Sequence, residues 1–540
     1  MYNEFICLLR LMVRTSLFQG EDMGSTPVED MLITIMRLLI SFSPELFLVS
    51  GILIQLLYNT HVTTSRIKNF PINDREVVFQ TLLILSGALI ILVSTETQIT
   101  SSLLSTDNGT QAVKTLILGF SLPLVLVMGR SFVIQKVNFS EFFTIFLLSV
   151  VGILLLVSST DFLVAYLALE MQALSFYVLA CFRRSSSFST DAGLKYFVLG
   201  SFVSGIYLMG CLLIYGGMGT LNFNALTLLL CFPLDSYSSE LDKVVSLGVF
   251  LVAVSLMFKL AVVPFHSWAP DVYEGSPLCS TIGFSILPKI GLIYFFFKVI
   301  NFFGPNFAFI SEFLIISGCL SIVIGTYLAL RQTRLKRFLI YSSISQTGFF
   351  AIGLGLGTYT GFCALFVYLI LYVASSIVVW GFVVEFYCSQ QRMNKLKSKP
   401  IKPIYLATIS NYFLKNKIAS LLFIGLLFSI GGMPPSSGFL AKILILKSLI
   451  DSDYQVVAVF VILISSISFF YYLRIIKIIF FELETSKENK ELFQSTFEDE
   501  FSDLFGCLTV LTCLALYSIL FYPEFLVLTA DSIVLGTRGY

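Results

Sequence analysis

The segment SLMFKLAVVPFHSWAPDVYEGSP, residues 255–277, begins within an apolar run and ends in a polar stretch. Lys259 lies deep in its apolar part, and Pro264 follows five residues later. A lysine inside a membrane costs roughly 3 kcal/mol on insertion scales, and a proline interrupts a helix by removing a backbone hydrogen bond. Broken helices are tolerated in membranes where their backbone is buried in protein or lines a wet cavity. The segment therefore predicts an interrupted membrane helix beside a buried charge.

The chain as a whole is too apolar for a water-soluble globule. Of its 540 residues, 56% are hydrophobic and only 12% are charged. A soluble domain carries about 25% charged residues, so lipid must surround most of this chain. The composition predicts an all-α polytopic membrane protein, and a net charge of +1 gives no indication of a nucleic-acid partner.

Fourteen apolar segments are long enough to cross a bilayer, for which a helix needs about 20 residues. The predicted spans are residues 35–58, 76–94, 113–129, 140–158, 161–182, 191–217, 245–268, 276–302, 306–330, 337–357, 361–386, 417–449, 454–481 and 504–529.

Loops rich in basic residues alternate with loops that have few, and this alternation tests the predicted number of spans. Loops after odd-numbered spans carry Lys and Arg, as in Arg183–Arg184 and in the four basic residues within 331–337. Loops after even-numbered spans are nearly free of them: 159–161 and 451–453 carry none, and the longer loop after the sixth span carries Lys243 beside three acidic residues. Because basic loops face the cytoplasmic-type side, fourteen spans place both termini on the opposite, outer side.

The seventh span carries a proline in LAVVPFH (260–266), and the twelfth carries two in GGMPPSSGFLAK (431–442). They are five spans apart, so they cross the membrane in opposite directions, as the members of an inverted repeat do. Lys259 and Lys442 each accompany one break. Packing alone explains a kink but not a lysine beside each kink, and the pattern favours transport.

Ionisable residues inside spans are functional candidates by default. Five are predicted to form a proton relay, in which a carboxylate near a lysine holds that lysine charged: Glu170, Lys195, Lys259, Lys289 and Lys442. Lys195 lies near the start of its span, where its ammonium could instead reach the surface. Five further residues are candidates either for the relay or for the helix breaks: Pro264, His266, Lys336, Pro434 and Pro435. Lys336 could equally be a loop anchor.

The sequence predicts no catalytic residue, no metal ligand and no cofactor-binding residue. Its ten cysteines form no C-x-x-C pair, and its two histidines are far apart, whereas zinc and iron–sulfur sites need clustered ligands. The glycines at 353, 355 and 357 lie in an apolar helical run, outside the strand–turn–helix context of a dinucleotide loop.

Six segments follow from this division of the chain. They are an N-terminal extension (1–34), spans 1–3 (35–129), a first repeat (140–302), a second repeat (306–481), a polar loop (482–503) and a terminal helix with the C-terminus (504–540). The polar loop has mixed charge, which favours a solvated segment over an interaction helix on the membrane surface.

Five stretches together resemble subunit 2 of mitochondrial NADH:ubiquinone oxidoreductase, respiratory complex I, whose bacterial counterpart is subunit N. They are YLALEMQALSFYVLA (166–180), STDAGLKYFVLGSFVSGIYLMG (189–210), FKLAVVPFHSWAPDVYEGSP (258–277), LKRFLIYSSISQTG (335–348) and GGMPPSSGFLAK (431–442). The resemblance covers roughly residues 40–525. Gln346 departs from it, because family members often carry a histidine in this stretch, and the first thirty or so residues have no clear counterpart.

The resemblance implies an antiporter-like subunit with two inverted five-helix repeats, spans 4–8 and 9–13, that pumps protons while other subunits pass electrons from NADH to ubiquinone. It implies that the family's relay glutamate and lysines fall on the five residues named above. FMN, iron–sulfur clusters and ubiquinone would belong to partner subunits. The expected partners are lipids and other membrane-arm subunits, including neighbouring antiporter-like ones. The expected location is the mitochondrial inner membrane, with both termini in the intermembrane space.

Two alternatives stay open at this point. A subunit of a multi-subunit sodium/proton antiporter would share the inverted repeat and the buried lysines. A scaffold subunit without transport activity would join neighbouring subunits only.

Overall fold

The structure is a computed structural model. It describes residues 42–64, 74–95, 99–100, 103–135, 140–231, 239–303, 308–396, 405–406, 417–434, 436–481, 510, 512, 514–519 and 522–536. The predicted N-terminal extension (1–34) and polar loop (482–503) lie outside these residues, and so does Pro435.

Helices make up nearly all of the described chain. They are α1 (Ser43–Thr64), α2 (Asp74–Ser94), α3 (Asn108–Gln135), α4 (Ser140–Ser158), α5 (Phe162–Ala180), α6 (Ser187–Met218), α7 (Phe223–Cys231), α8 (Ser239–Lys259), α9 (Trp268–Gly275), α10 (Leu278–Phe303), α11 (Ala308–Arg331), α12 (Leu335–Gly355), α13 (Tyr359–Leu396), α14 (Lys417–Gly431), α15 (Ser437–Asp451), α16 (Gln455–Phe481) and α17 (Glu524–Gly536). Two short strands, β1 (Ile99–Thr100) and β2 (Ser105–Thr106), pair antiparallel between α2 and α3.

Ten helices in the described residues are long and apolar enough to cross a membrane, namely α2–α6, α10–α13 and α16. The predicted polytopic all-α class is therefore confirmed. The other four predicted spans correspond to α1, to the pairs α8–α9 and α14–α15, and to α17 with the helical residues 514–519 before it. The total of fourteen stays a prediction.

The two interrupted spans break where their prolines indicate. In the seventh span, α8 ends at Lys259 and α9 begins at Trp268. Ala261 between them has φ 58°, a left-handed conformation that ends a helix. Trp268 Nε1 donates to the carbonyl oxygen of Phe258 across the gap, at 3.0 Å. In the twelfth span the gap between α14 and α15 begins at Gly432, with φ 76°.

The even-loop face is the end of the molecule where loops after the second, fourth and sixth spans meet. Leu104 beside β2 bridges to Ser159, and Asp161 bridges to Asn222. At the opposite end, the odd-loop face, Arg334 bridges to Tyr405, which joins the loops after the ninth and eleventh spans. The contacts group the loops as the alternation of basic residues predicts.

Burial separates a central helix from peripheral ones. Nearly every residue of α10 is buried, from Leu278 to Ile300, whereas α2 and α16 present large apolar side chains outward, such as Val456 at 84% exposure. Small residues bring α11 and α12 together, because a Cβ atom on Gly318 would lie 2.8 Å from the carbonyl oxygen of Gly348.

Two ion pairs, one of them fully buried, join α3 to its neighbours. Lys114 binds Glu45 of α1 at 2.6 Å, with side chains 1% and 6% exposed. Arg130, five residues before the other end of α3, binds Glu385 of α13. The first three helices are thereby joined to the rest of the molecule through charges as well as apolar packing.

Candidate functional site

Glu170 lies on α5, and Lys259 is the last residue of α8. Both side chains are partly buried, and the carboxylate lies close enough to the ammonium to interact with it electrostatically. One carboxylate oxygen of Glu170 is buried without a hydrogen-bond partner among the described residues. The glutamate and lysine expected to act together are therefore neighbours, although no direct ion pair joins them in the described part of the chain.

Lys289 lies in the middle of α10 and is only 5% exposed. Its ammonium donates a hydrogen bond to the hydroxyl oxygen of Tyr372 on α13, at 2.8 Å. The same ammonium lies 4.8 Å from the centre of the Tyr372 ring, which adds a cation–π contact. Tyr372 therefore stabilises a charge in the apolar interior and connects α10 to α13.

Lys442 spans the second helix break. It projects from α15, is 6% exposed, and donates to the carbonyl oxygen of Gly431 at 2.6 Å. Gly431 ends α14, and the carbonyl groups at a helix C-terminus carry partial negative charge that favours a cation. The break supplies the acceptor that this buried ammonium needs.

A small cavity separates the Lys289–Tyr372 pair from the second break. Its walls include polar side chains and the end of α14, and it can hold a water molecule. The lining residues are Gln346, Tyr368, Leu371, Tyr372, Ser375, Ser429, Ile430, Gly438 and Ala441. The Tyr368 hydroxyl donates to the side-chain oxygen of Gln346, and Gln346 Nε2 donates to the carbonyl oxygen of Ile430 at 3.4 Å. Polar groups thus continue from Tyr372 to the helix break that holds Lys442.

Lys195 lies at the surface of the described chain, which is the alternative that its position near the start of a span left open. Its side chain is 57% exposed and binds Asp271 of α9 at 3.1 Å. α6 packs its small residues Ala192 and Gly193 inward, which turns the neighbouring Lys195 outward near the odd-loop face. Within the described chain, the ion pair of Lys195 joins it to Asp271 and to none of the other four predicted relay residues.

Lys336 is buried, at 8% exposure, and contacts backbone rather than another titratable side chain. Its ammonium donates to the carbonyl oxygens of Ser276, at 2.8 Å, and Glu274, at 3.4 Å. These groups lie at the C-terminal end of α9. The geometry makes Lys336 a cap that fixes the second part of the seventh span.

A network of charges surrounds that cap at the odd-loop face. Arg334 and Arg337 both bind Glu274, and Arg337 lies 3.7 Å from Asp271. Because Asp271 also binds Lys195, these pairs tie α9 to both α6 and the start of α12.

The remaining candidates lie at the breaks themselves. His266 is partly buried, and its Nδ1 has no hydrogen-bond partner among the described residues. Pro264 and Pro434 are exposed at the two interruptions. Within the described ranges, no group of three or more His, Cys, Asp or Glu side chains is arranged to hold a metal ion.

The family model for the transmembrane part of NADH:quinone oxidoreductase and Mrp antiporter subunits matches residues 159–468. The chain belongs to this family. The match includes both helix breaks and the residues Glu170, Lys259, Lys289 and Lys442.

Individual relatives agree with this assignment. NADH-ubiquinone oxidoreductase chain 2 of Marchantia polymorpha is 33% identical over 81% of this chain and 88% of its own length. NADH-quinone oxidoreductase subunit N of Pelagibacter ubique is 34% identical over 67% of this chain and 75% of its own length.

Solved structures share the fold. A chain of Thermus thermophilus respiratory complex I with bound aureothin superposes with a TM-score of 0.69 at 24% identity, covering 90% of this chain and 98% of that one. A chain of the Mrp complex from Dietzia gives 0.73 at 17% identity, covering 93% and 98%.

Two residues of the site, Tyr372 and Lys298, were not predicted from the sequence. Tyr372 carries no signal in sequence, because a tyrosine in an apolar helix is ordinary and its partner Lys289 is 83 residues away. Lys298 could have been predicted to be a buried charge, since it lies within the apolar run FFFKVINFF (295–303). It is 5% exposed and donates to the carbonyl oxygen of Val157 at 2.7 Å.

Proposed function

We propose that this chain is a proton-translocating, antiporter-like membrane subunit of respiratory complex I. The observation that carries the proposal is the buried array in which Lys289 contacts Tyr372 and a polar cavity leads on to the break held by Lys442. Relatives named as chain 2 or subunit N of NADH:quinone oxidoreductases support the assignment to that complex.

The first step of the proposed mechanism belongs to Glu170 and Lys259. A carboxylate near an ammonium favours the charged form of the lysine. If Glu170 moves away or is neutralised, Lys259 releases its proton more readily into the interior. The partly buried position of both groups keeps their interaction stronger than it would be in water.

The second step passes through Tyr372. A tyrosine hydroxyl both donates and accepts hydrogen bonds. It can therefore accept a proton from Lys289 while it gives its own proton to water in the adjoining cavity. Lys442 lies beyond that cavity and takes up the proton as a neutral amine. The carbonyl oxygen of Gly431 then holds the resulting ammonium.

The proposal also covers the number of spans, their repeats, the membrane that holds them and the partner subunits. Fourteen spans would form two inverted five-helix repeats, 4–8 and 9–13, in the mitochondrial inner membrane with both termini in the intermembrane space. The two breaks five spans apart support this arrangement. FMN, iron–sulfur clusters and ubiquinone would belong to partner subunits, and neighbouring membrane-arm subunits and lipids would cover the exposed apolar faces.

A subunit of a multi-subunit sodium/proton antiporter is the second candidate, favoured by the fold shared with the Mrp chain. Purification from native membranes separates the two. Under the main proposal, the chain co-purifies with NADH:ubiquinone oxidoreductase activity. Recovery of the chain in an assembly that does not oxidise NADH would favour the antiporter.

The relay itself is tested by Lys259→Met in the assembled complex. We expect NADH-driven proton pumping to fall at least about tenfold, because positioned proton-transfer groups contribute roughly 10²–10⁴-fold. Lys447→Met is the matched control, since Lys447 is exposed on α15. Pumping and electron transfer at wild-type rates in Lys259→Met would contradict the relay and leave a scaffold role.

A further inference from the structure

Lys298 is a buried ammonium that the proposed relay does not use. It lies on α10 nine residues after Lys289, about 13.5 Å further along the helix axis at roughly 1.5 Å per residue. α10 ends five residues further on, at Phe303, so Lys298 lies towards the even-loop face. Tyr294, fully buried between the two lysines, places its ring 5.2 Å from the Lys298 ammonium.

The direct hydrogen bonds of Lys298 hold a cation in place. Its ammonium donates to the carbonyl oxygens of Val157, at 2.7 Å, and Ser159, at 3.3 Å. These carbonyls end α4 and carry the partial negative charge of a helix C-terminus. An amide carbonyl does not accept a proton near neutral pH, so onward transfer needs another group.

A cavity beside Lys298, lined by polar side chains and by the rings of Phe223 and Phe302, supplies such a group. Its polar lining comes from Ser105, Asp107, Thr160, Asn224, Lys298 and Asn301, and it is large enough for about one water molecule. The Ser105 hydroxyl is buried and has no hydrogen-bond partner within the described residues. Because buried polar groups are usually satisfied by protein or by ordered water, this hydroxyl indicates a hydrated cavity.

Asp107 is the carboxylate that balances the charge of the Lys298 ammonium. Both side chains line the same cavity, where they interact electrostatically. The nearby Lys114 already forms a direct ion pair with Glu45. The cluster therefore contains two cations and two carboxylates, and Asp107 is partly exposed, which gives the cavity contact with solvent at the even-loop face.

We propose that Lys298, Asp107 and the cavity between them form the release site of the pump on the even-loop face. This rests on the proposed function. A proton leaves the Lys298 ammonium for cavity water while that water gives a proton to the Asp107 carboxylate, so that both side chains become neutral. Asp107 then loses its proton to bulk water, and a further proton from Lys289, nine residues earlier on α10, restores the Lys298 ammonium along a branch separate from the one that leads to Lys442.

Two substitutions at position 298 separate proton release from helix capping. Lys298→Met removes the charge. Lys298→Arg keeps the charge and the donors to both carbonyls, but a guanidinium cannot release a proton in a protein. In the assembled complex reconstituted into vesicles, we expect NADH-driven proton pumping to fall at least about tenfold in both variants, within the roughly 10²–10⁴-fold range of positioned proton-transfer groups.

Asp107→Asn gives an independent test, because it preserves the shape of the side chain and removes the acceptor. We expect a similar fall in pumping with normal assembly. Lys243→Met is the matched control, since Lys243 is an exposed lysine on the first turns of α8. Its pumping should equal that of the wild type.

The outcomes distinguish this proposal from the one on which it rests. Wild-type pumping in Lys298→Arg, or in Asp107→Asn, would overturn the release site and leave Lys298 as a cap. Loss of the assembled complex in both Lys298 variants would also overturn it, by assigning the residue a structural role. If Lys259→Met abolishes pumping in the same vesicles, the proposed function survives either result.

Discussion

Single ammonium groups in this chain differ mainly in what they contact. Lys289 contacts a tyrosine hydroxyl, whereas Lys336 and Lys442 contact backbone carbonyls at helix ends. A hydroxyl can pass a proton on, but a carbonyl only stabilises the cation. Among these three buried lysines, only the contact of Lys289 therefore leads directly to a proton-conducting group.

The substitution Tyr372→Phe tests the role of the tyrosine hydroxyl alone. Removing one hydroxyl leaves the ring and its cation–π contact with Lys289 in place, so the complex should assemble normally. We expect proton pumping to fall about tenfold or more, because the transfer from Lys289 to the cavity loses its intermediate.

Tyr327→Phe is the matched control for this change, since Tyr327 is half exposed on α11. Pumping coupled to NADH oxidation in vesicles is the measurement. An unchanged ratio of protons to electrons at an unchanged rate in Tyr372→Phe would exclude the hydroxyl from the path.

The same residues show why the site was only partly predictable. A buried lysine is costly wherever it occurs, so Lys259, Lys289 and Lys442 stand out in the sequence. The exposure of Lys195 depends on which side of α6 packs inward, which composition does not reveal. Lys298 meets the criterion that selected Lys289, but it lies near a predicted span end, where lysines usually reach the surface.

Helix interruptions are the elements that turn these residues into a site. At the second break, Gly432 has a left-handed φ of 76°. A Cβ atom there would lie 2.7 Å from the Lys442 side chain. Two reasons therefore require glycine at position 432: the left-handed backbone conformation and the close approach of the Lys442 side chain. The sequence predicts the breaks well, because proline and glycine act locally. Some of the groups that contact them come from distant parts of the chain, as Gln346 of α12 does at the second break.

The substitution Gly432→Ala tests the role of the second helix break. We expect the thermal stability of the purified complex to fall, because an L-residue in the left-handed region costs roughly 1–2 kcal/mol. Pumping should fall as well, since the methyl group displaces Lys442 from the carbonyl oxygen of Gly431.

Gly205→Ala is the control for that substitution. Gly205 lies within α6 with no atom near its missing Cβ, and alanine favours a helix by about 1 kcal/mol. Equal stability and pumping in the two variants would contradict the tight fit at Gly432.

At the scale of the whole molecule, charge separates two faces. The odd-loop face holds the network of Arg334, Arg337, Asp271 and Glu274, with Lys195 at its edge. The even-loop face holds the β1–β2 hairpin and the Lys298 cavity. The alternation of basic loops predicts this division, because it depends on sequence composition and not on packing.

Cysteine labelling tests which compartment each face meets. Thr360 at the even-loop face and Thr333 at the odd-loop face are exposed, and each can be replaced by cysteine. In mitochondria stripped of their outer membrane, we expect an impermeant maleimide to label Thr360→Cys at once and Thr333→Cys only after the inner membrane is opened. The unsubstituted chain sets the background, and the reverse order of labelling would invert the proposed orientation.

The ion pairs of α3 have an evolutionary consequence. This helix carries Lys114 to the neighbourhood of Lys298 and Arg130 to Glu385, at opposite ends of its length. A shortened relative that began at α4 would lose Arg130 from beside Glu385 and Asp107 from beside Lys298 together. Gene truncation before α4 would thus select for neutral residues at positions 298 and 385, or for a foreign helix that brings the missing charges.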